Sequence, residues 1–166
     1  MSARRGKVAV KLGDHIDTDL IYPGRFLNIT DREKTPQHLF ELAYPEIRGQ
    51  LGAGDFLVAG RNFGCGSSRE QATSAIKLAG CGAVIASSFA RIFFRNSINL
   101  GLPVVVSPRA AASVAPGDGL IVDLAAGRIV NLRTEESYPA APLDQQAVEL
   151  LEAGGLIPYL KRKHGY

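Results

Sequence analysis

The stretch from Asp55 to Val106 alternates short apolar runs with helical periodicity, and that alternation limits the fold more than any other feature. Asp55-Phe56-Leu57-Val58-Ala59 is an apolar run bounded by glycines, the pattern of a buried strand. Ala72, Ala75, Ile76 and Ala79 then recur at i, i+3, i+4 and i+7, which places them on one helix face. Gly80-Cys81-Gly82 stops that helix, and Ala83-Val84-Ile85-Ala86 is a second buried strand. Ser87 or Ser88 can cap a second helix that carries Phe89, Ile92, Phe93 and Asn96 on one side and ends at Gly101. Leu102-Pro103-Val104-Val105-Val106 is the third strand. Strand, helix, strand, helix, strand in so short a span implies right-handed crossovers and an α/β fold, a parallel or mixed sheet with flanking helices.

The flanking regions are less regular. Lys7-Val8-Ala9-Val10-Lys11-Leu12 alternates as a strand does, and a polar loop from Gly13 to Asp19 follows it. Between Asp31 and Gln50, Pro36 and Pro45 argue against one long helix, leaving short helical pieces around Pro36 to Leu42. Leu120 to Leu124 and Arg128 to Leu132 pair as a hairpin across Ala126-Gly127. A last helix fits Leu143 to Ala153, stopped by Gly154-Gly155, and the basic run Lys161-Arg162-Lys163-His164 reads as a solvated terminus. A length of 166 residues fits one domain over residues 1–166.

Composition removes several classes. No window approaches the ~18 apolar residues of a membrane helix. The basic start Met1-Ser2-Ala3-Arg4-Arg5-Gly6-Lys7 lacks the apolar core of a signal peptide, so a cytoplasmic protein is expected. The net charge of +3 is scattered, and no patch or aromatic platform suits nucleic acid. Two cysteines, Cys65 and Cys81, make neither a disulfide framework nor a zinc motif, and they are too few for an iron–sulfur cluster. Cys65 reads as a small buried thiol rather than a nucleophile, since no base stands near it in sequence.

The chemistry sits between the first strand and the first helix of the alternation, in Asn62-Phe63-Gly64-Cys65-Gly66-Ser67-Ser68-Arg69-Glu70. Glycines permit a tight turn and close backbone approach. Two serines and an arginine then open a helix, where unpaired N–H groups favour anions. The site reads as a receptor for a carboxylate or phosphate with a hydroxyl beside it. Helix capping alone also accounts for the serines, because Ser67-x-x-Glu70 and Ser68-x-x-Gln71 both fit a capping box. Arg69 stands where a dinucleotide fingerprint needs its third glycine and where a hydrolase elbow needs its last one, and a P-loop lysine is absent. His15, His38 and His164 fall in loops or the tail, which disfavours a serine triad. Asp14, Asp17 and Asp19 lack the glycine and glutamate of a calcium loop.

Residues 60 to 70, Gly-Arg-Asn-Phe-Gly-Cys-Gly-Ser-Ser-Arg-Glu, resemble the signature of the aconitase-superfamily swivel domain. Three further segments resemble it in order: Gly13 to Leu27, Ser87 to Pro103, and Glu152 to Ile157. The likeness therefore runs along nearly the whole chain. It implies a swivelling β/β/α domain, and a free-standing chain of this size resembles the small subunits of two-chain members. Such enzymes move a hydroxyl between adjacent carbons of a hydroxy acid by dehydration and rehydration. A [4Fe–4S] cluster with one open iron acts as Lewis acid, and the cluster and its cysteines belong to the large subunit. The expected partners are that large subunit, as heterodimer or heterotetramer, and a small hydroxy-dicarboxylate. Self-association of the isolated chain is left open.

The resemblance also implies residue roles. Ser67 takes the place of the catalytic base, and Arg69 that of the carboxylate clamp, with Ser68 adding hydrogen bonds. Asp19 matches an active-site aspartate that supports a histidine of the partner. Tyr22 stands where aconitase has a serine, a departure that speaks against a citrate-like substrate. Arg25-Phe26-Leu27-Asn28-Ile29-Thr30 resembles the substrate-selecting loop, and Asn28 and Ile29 are its candidate contacts. Members that handle an extra carboxylate carry an arginine near Asn28. The uncharged pair here favours an apolar branch, as in isopropylmalate, over homoaconitate, and dimethylmalate or citramalate suits the same loop. Asn28 also serves as an ordinary turn residue. An anion-binding regulatory module is the reading from a different class.

Overall fold

The computed structural model describes residues 3–31 and 33–165. In chain order it runs β1 (Ala3–Lys11), α1 (Thr18–Ile21), α2 (Ile47–Gln50), β2 (Phe56–Ala59), α3 (Glu70–Leu78), β3 (Ala83–Ala86) and α4 (Arg91–Leu100). Then come β4 (Val104–Val106), α5 (Pro108–Ser113), β5 (Gly119–Asp123), β6 (Arg128–Asn131), β7 (Ser137–Pro139), α6 (Gln145–Ala153) and α7 (Leu156–His164). The seven strands form one sheet in the order β4-β3-β2-β1-β5-β6-β7. The first four are mutually parallel and the last three antiparallel. The sheet is therefore mixed, the second of the two expected alternatives.

The two halves differ as their burial demands. Every residue of β2 and β3 is buried, as in a parallel sheet covered on both faces. Residues of β5 alternate between half-buried and buried, as in an antiparallel strand with one wetter face. The outer strands curl toward each other. Ala141 N donates to Val106 O at 2.9 Å, and Ser107 Oγ donates to Pro139 O at 2.7 Å, so the end of β4 is tied to the end of β7. Lys11 Nζ donates to Val114 O at 2.9 Å and holds the end of α5 against β1.

Several local expectations needed correction. Strand β1 begins at Ala3, four residues before the alternating run, because Ala3–Lys7 pair with Gly119–Asp123 of β5. Helix α3 starts at Glu70 with Arg69 as its extended N-cap and no side-chain cap, so the two capping boxes do not form. Neither Ser87 nor Ser88 caps α4. Its N-cap is Ala90, and Ser88 Oγ instead accepts from Asn62 N at 2.8 Å. Helix α4 buries Phe93, Ser97 and Ile98, which turns Ile92 outward to 56% exposure. The basic tail is exposed, as expected of a solvated terminus, and it is helical as well. Lys161 to His164 form the last turn of α7, where cations suit the negative end of the helix dipole. Strand β7 had no sequence signal of its own.

The predicted hairpin forms as β5 and β6, Gly101 closes α4 at φ 84°, and Gly154 closes α6 at φ 93°. The region near Pro36 folds as a 3₁₀ turn, Thr35–His38.

Candidate active site

Three loops at the carboxyl ends of β1, β2 and β3 meet at one edge of the sheet, the usual ligand edge of a parallel sheet. Backbone hydrogen bonds stitch them together. Gly64 N donates to Ile16 O at 2.7 Å, and Thr18 N donates to Cys65 O at 2.8 Å. Phe63 N donates to Ser88 O at 3.1 Å, and Ala90 N donates back to Phe63 O at 2.9 Å. The glycine-rich turn is thus the middle strand of a small three-loop ladder.

Glycine is required here for definite reasons. Gly64 has φ 84°, and a Cβ on it would lie 2.2 Å from Phe93 Cγ. Gly60 makes room for Asp14, whose Oδ1 would sit 1.9 Å from an added Cβ. Asp14 in turn receives Arg61 N at 2.7 Å and the Arg61 guanidinium at 3.2 Å. These bonds, the backbone one foremost, lower the Asp14 carboxyl below its ordinary range. The aspartates that hint at calcium therefore serve otherwise: Asp14 pairs with Arg61, and Asp17 Oδ1 caps α1 by accepting from Leu20 N at 2.8 Å.

Asp19 and Arg69, fifty positions apart, are in direct contact. Arg69 Nη1 donates to Asp19 Oδ1 at 2.7 Å and to Tyr22 O at 3.2 Å. Asp19 Oδ1 also receives Gly24 N at 2.9 Å. The Arg69 bond first, and the Gly24 bond second, lower the Asp19 carboxyl, which keeps it anionic. Both Arg69 bonds leave from Nη1, so the other edge of the guanidinium fork keeps its donors. Tyr22 is fully buried and turns its hydroxyl to Phe26 O at 2.9 Å. It shapes the loop from beneath.

Ser67 and Ser68 are exposed on the turn. Thr18 Oγ1 donates to the backbone oxygen of Ser67 at 2.7 Å and fixes its peptide. Asn96 Nδ2 lies 3.5 Å from Ser68 Oγ. Ser68 and Arg69 share a cavity of about 210 Å³ with Thr18, Arg91 and Asn96, floored by Phe93. Ser67 stands beside this cavity. Thr18, Arg91 and Asn96 were not singled out from sequence. All three lie within segments that carry the family resemblance, Thr18 in Gly13 to Leu27 and Arg91 and Asn96 in Ser87 to Pro103, and Asn96 also falls on the predicted face of the second helix.

Asn28 and Ile29 are not part of that cavity. Asn28 is exposed. Ile29 lines a separate depression with Glu70, Gln71 and Ser74 along the side of α3. Gln71 Nε2 reaches Leu27 O at 3.4 Å and tethers the loop to the same helix that carries the site.

Neither cysteine is placed as a cluster ligand. Cys81 is buried, donates to Ala83 O, and burial pushes its thiol up to about 12, far from thiolate character. Cys65 is half-buried and alone beside the turn, and one thiol cannot hold a [4Fe–4S] cluster. Among the described residues no helix is long and apolar enough to cross a membrane.

Comparison with known proteins bears on the fold and the family. Residues 16–109 match the Aconitase C-terminal domain family. The chain is 53% identical over 151 residues to the 3-isopropylmalate dehydratase small subunit of Moorella thermoacetica, covering 91% of each. It is 48% identical to the methanogen homoaconitase small subunit of Methanothermobacter thermautotrophicus, covering 95% of this chain and 91% of that one. A crystal structure of 3-isopropylmalate dehydratase (leuD) from Methanocaldococcus jannaschii matches with a TM-score of 0.88 at 39% identity, covering 98% of this chain and 95% of the other. The swivel-domain resemblance of the glycine-rich turn is thereby established for the fold as a whole, and the chain belongs to the aconitase C-terminal domain family.

Proposed function

We propose that this chain, residues 1–166 acting as one swivel-type domain, is the small subunit of a 3-isopropylmalate dehydratase. The complex would interconvert 2-isopropylmalate and 3-isopropylmalate through an alkene, in leucine biosynthesis. The observation that carries the reading is a half-built site: a guanidinium fork and two hydroxyls on one open turn, in a chain that matches dehydratase small subunits nearly end to end. A large subunit, in a heterodimer or heterotetramer, would bring a [4Fe–4S] cluster, which supplies a Lewis acid for the leaving hydroxyl. The cytoplasm is the proposed location.

The residues of this chain then divide the remaining work. Arg69, steadied by Asp19 and Tyr22 O, offers its second edge to a substrate carboxylate, a geometry suited to bidentate binding. Ser68 adds a hydrogen bond. Ser67 acts as the base on the carbon next to that carboxylate. Its oxygen takes the proton, the C–H electrons become the new π bond, and the hydroxyl on the neighbouring carbon departs with its own electron pair. Rehydration runs the same steps backward with the hydroxyl added to the other carbon. A serine alkoxide needs positive surroundings, for which Arg69 two residues on is the candidate, and a dry site, which the exposed Ser67 lacks. The large subunit would provide the second. Asp19, beyond steadying Arg69, would support a histidine of that subunit.

Asn28 and Ile29 are proposed to set the substrate branch. The homoaconitase small subunit among the relatives keeps a second reading in play, and a dimethylmalate dehydratase is a third. The uncharged loop favours isopropylmalate over a tricarboxylate, and dimethylmalate suits it as well, so the substrate panel decides between those two. The test is anaerobic reconstitution with the cognate large subunit, followed by alkene absorbance across isopropylmalate, homoaconitate and dimethylmalate. Activity on isopropylmalate only in the complex is expected. Turnover by the isolated chain would overturn the proposal, and tight binding of dicarboxylates without any partner would favour a regulatory module. Ser67→Ala should lower kcat by about 10²–10⁴ with assembly intact, and near-normal turnover would remove Ser67 as base.

A further inference from the structure

The N-terminal half of α4 presents an apolar face ringed by positive charge directly beside the site. Ser88, Phe89, Arg91, Phe94, Arg95 and Val106 line a shallow depression of about 470 Å³. Arg91 belongs to both this depression and the site cavity. Ile92, which also lines the site cavity, is 56% exposed. Phe89 stacks on Phe93 with ring centroids 6.2 Å apart and carries the apolar surface down to the core. Among the described residues, no aspartate or glutamate lines either depression.

The charges on this face work against the isolated chain. Arg91 and Arg95 stand four positions apart on one helix, where like charges repel. The first turn of α4 holds no acidic residue, and Arg91 sits at the positive end of the helix dipole. Among the described residues neither arginine has a hydrogen-bond or ion-pair partner. A partner that brings carboxylates turns each of these costs into a gain.

We propose that this face of α4 is the docking surface for the large subunit, which sets an apolar contact on Ile92 and carboxylates on Arg91 and Arg95. The inference rests on the small-subunit reading above. Continuity selects this occupant. Arg91 forms a wall of both hollows, so a polypeptide that closes the site cavity also reaches the neighbouring depression. The rival apolar patch is Leu156, Ile157 and Leu160 on α7. That patch lies at the other end of α4, where Lys77 Nζ donates to Leu100 O at 2.6 Å and to Gly154 O at 2.8 Å. A ten-residue helix spans about 15 Å, so a cover over Arg91 has no need to touch α7.

The test measures the affinity of the full-length chain for its large subunit by titration at several salt concentrations. Arg95→Glu and Ile92→Asp should each weaken assembly by about tenfold or more, and Arg95→Glu should flatten the salt dependence. Both positions are exposed, and unchanged thermal unfolding of each free variant confirms the fold. Ile157→Asp on α7 should assemble within about twofold of wild type. Wild-type affinity in either α4 variant overturns the docking surface. A wild-type chain that fails to assemble with the large subunit overturns the small-subunit reading instead.

Discussion

Replacing Gly64 with alanine should destabilise the protein far more than replacing Gly66, although both glycines sit two residues apart in the same turn with similar dihedrals. Their φ angles are 84° and 93°. An L-residue there costs about 1–2 kcal/mol from backbone sterics alone, and both variants carry that cost. Surroundings separate them. A Cβ at position 66 meets nothing closer than Asp17 Cβ at 3.5 Å, an ordinary contact. A Cβ at position 64 would meet Phe93 Cγ at 2.2 Å and Phe93 Cβ at 2.5 Å. Phe93 cannot simply swing away, because it is 3% exposed and packs against Phe63 with ring centroids 5.3 Å apart. Overpacking of a core typically adds about 1–3 kcal/mol. Gly64→Ala should therefore cost about 2–5 kcal/mol in total, against about 1–2 for Gly66→Ala. At about 2–4 °C per kcal/mol for a chain of this size, the Tm drops should be roughly 4–20 °C and 2–8 °C. Urea unfolding of the free chain, with unchanged m-values, gives the free energies directly. A double-mutant cycle with Phe93→Ala, which removes Cγ and the ring, isolates most of the collision, since that truncation should recover part of the Gly64→Ala loss and none of the Gly66→Ala loss. Equal costs for the two alanines, or no coupling to Phe93, would refute the claim that close approach of α4 dictates glycine at position 64.

Other outcomes follow from the same structure. Arg69→Lys in the reconstituted complex should raise KM about tenfold or more, because a point charge cannot reproduce a planar fork that holds Asp19 and Tyr22 O on one edge and a carboxylate on the other; unchanged KM would remove the clamp. Thiol titration should find Cys65 reactive in the native chain and Cys81 reactive only after unfolding, and two fast native thiols would contradict the burial of Cys81. The folded-state value of Cys81 is raised, so its contribution is complete below the unfolded thiol value and disappears as pH climbs through about 12. Relative to Cys81→Ala, the wild type should lose about 1.4 kcal/mol per pH unit above roughly pH 9. Asp118 behaves oppositely: the Arg133 bond, aided by Ala115 N and Asn131, lowers its carboxyl. That stabilisation is present above about pH 4 and lost as the solution becomes more acid, so the stability gap between wild type and Asp118→Asn should narrow below pH 4. A gap independent of pH would show that the carboxylate charge is irrelevant.

Local chemistry explains what was legible in the chain. Hydrophobic period and glycine stops placed β2, α3, β3, α4 and β4 to within a few residues, because each is decided by neighbours within one or two turns. The turn at Gly64 to Arg69 was recognisable for the same reason, since its glycines and polar side chains act at short range. Misassignments arose where a side chain had two local options and a distant group chose between them. Ser67 and Ser68 could have capped α3, yet Thr18 fixes the Ser67 peptide and Asn96 approaches the Ser68 hydroxyl. Ser88 could have capped α4, yet it accepts from Asn62. The outward turn of Ile92 was hidden likewise, because two apolar positions, 92 and 93, competed and packing against Phe63 buried the second.

Taken alone, the order of residues determined an α/β architecture, a parallel or mixed sheet and an anion-ready turn, since propensity, periodicity and glycine stereochemistry need only nearby atoms. Tertiary contact alone decided that β1 stands between the parallel and antiparallel halves and that β4 and β7 curl to meet. It alone set Asp19 on Arg69 and left Arg91 beside them without an ion-pair partner among the described residues. These outcomes depend on which surfaces meet across tens of residues, and the balance of burial and charge that selects them exists only once the chain has closed upon itself.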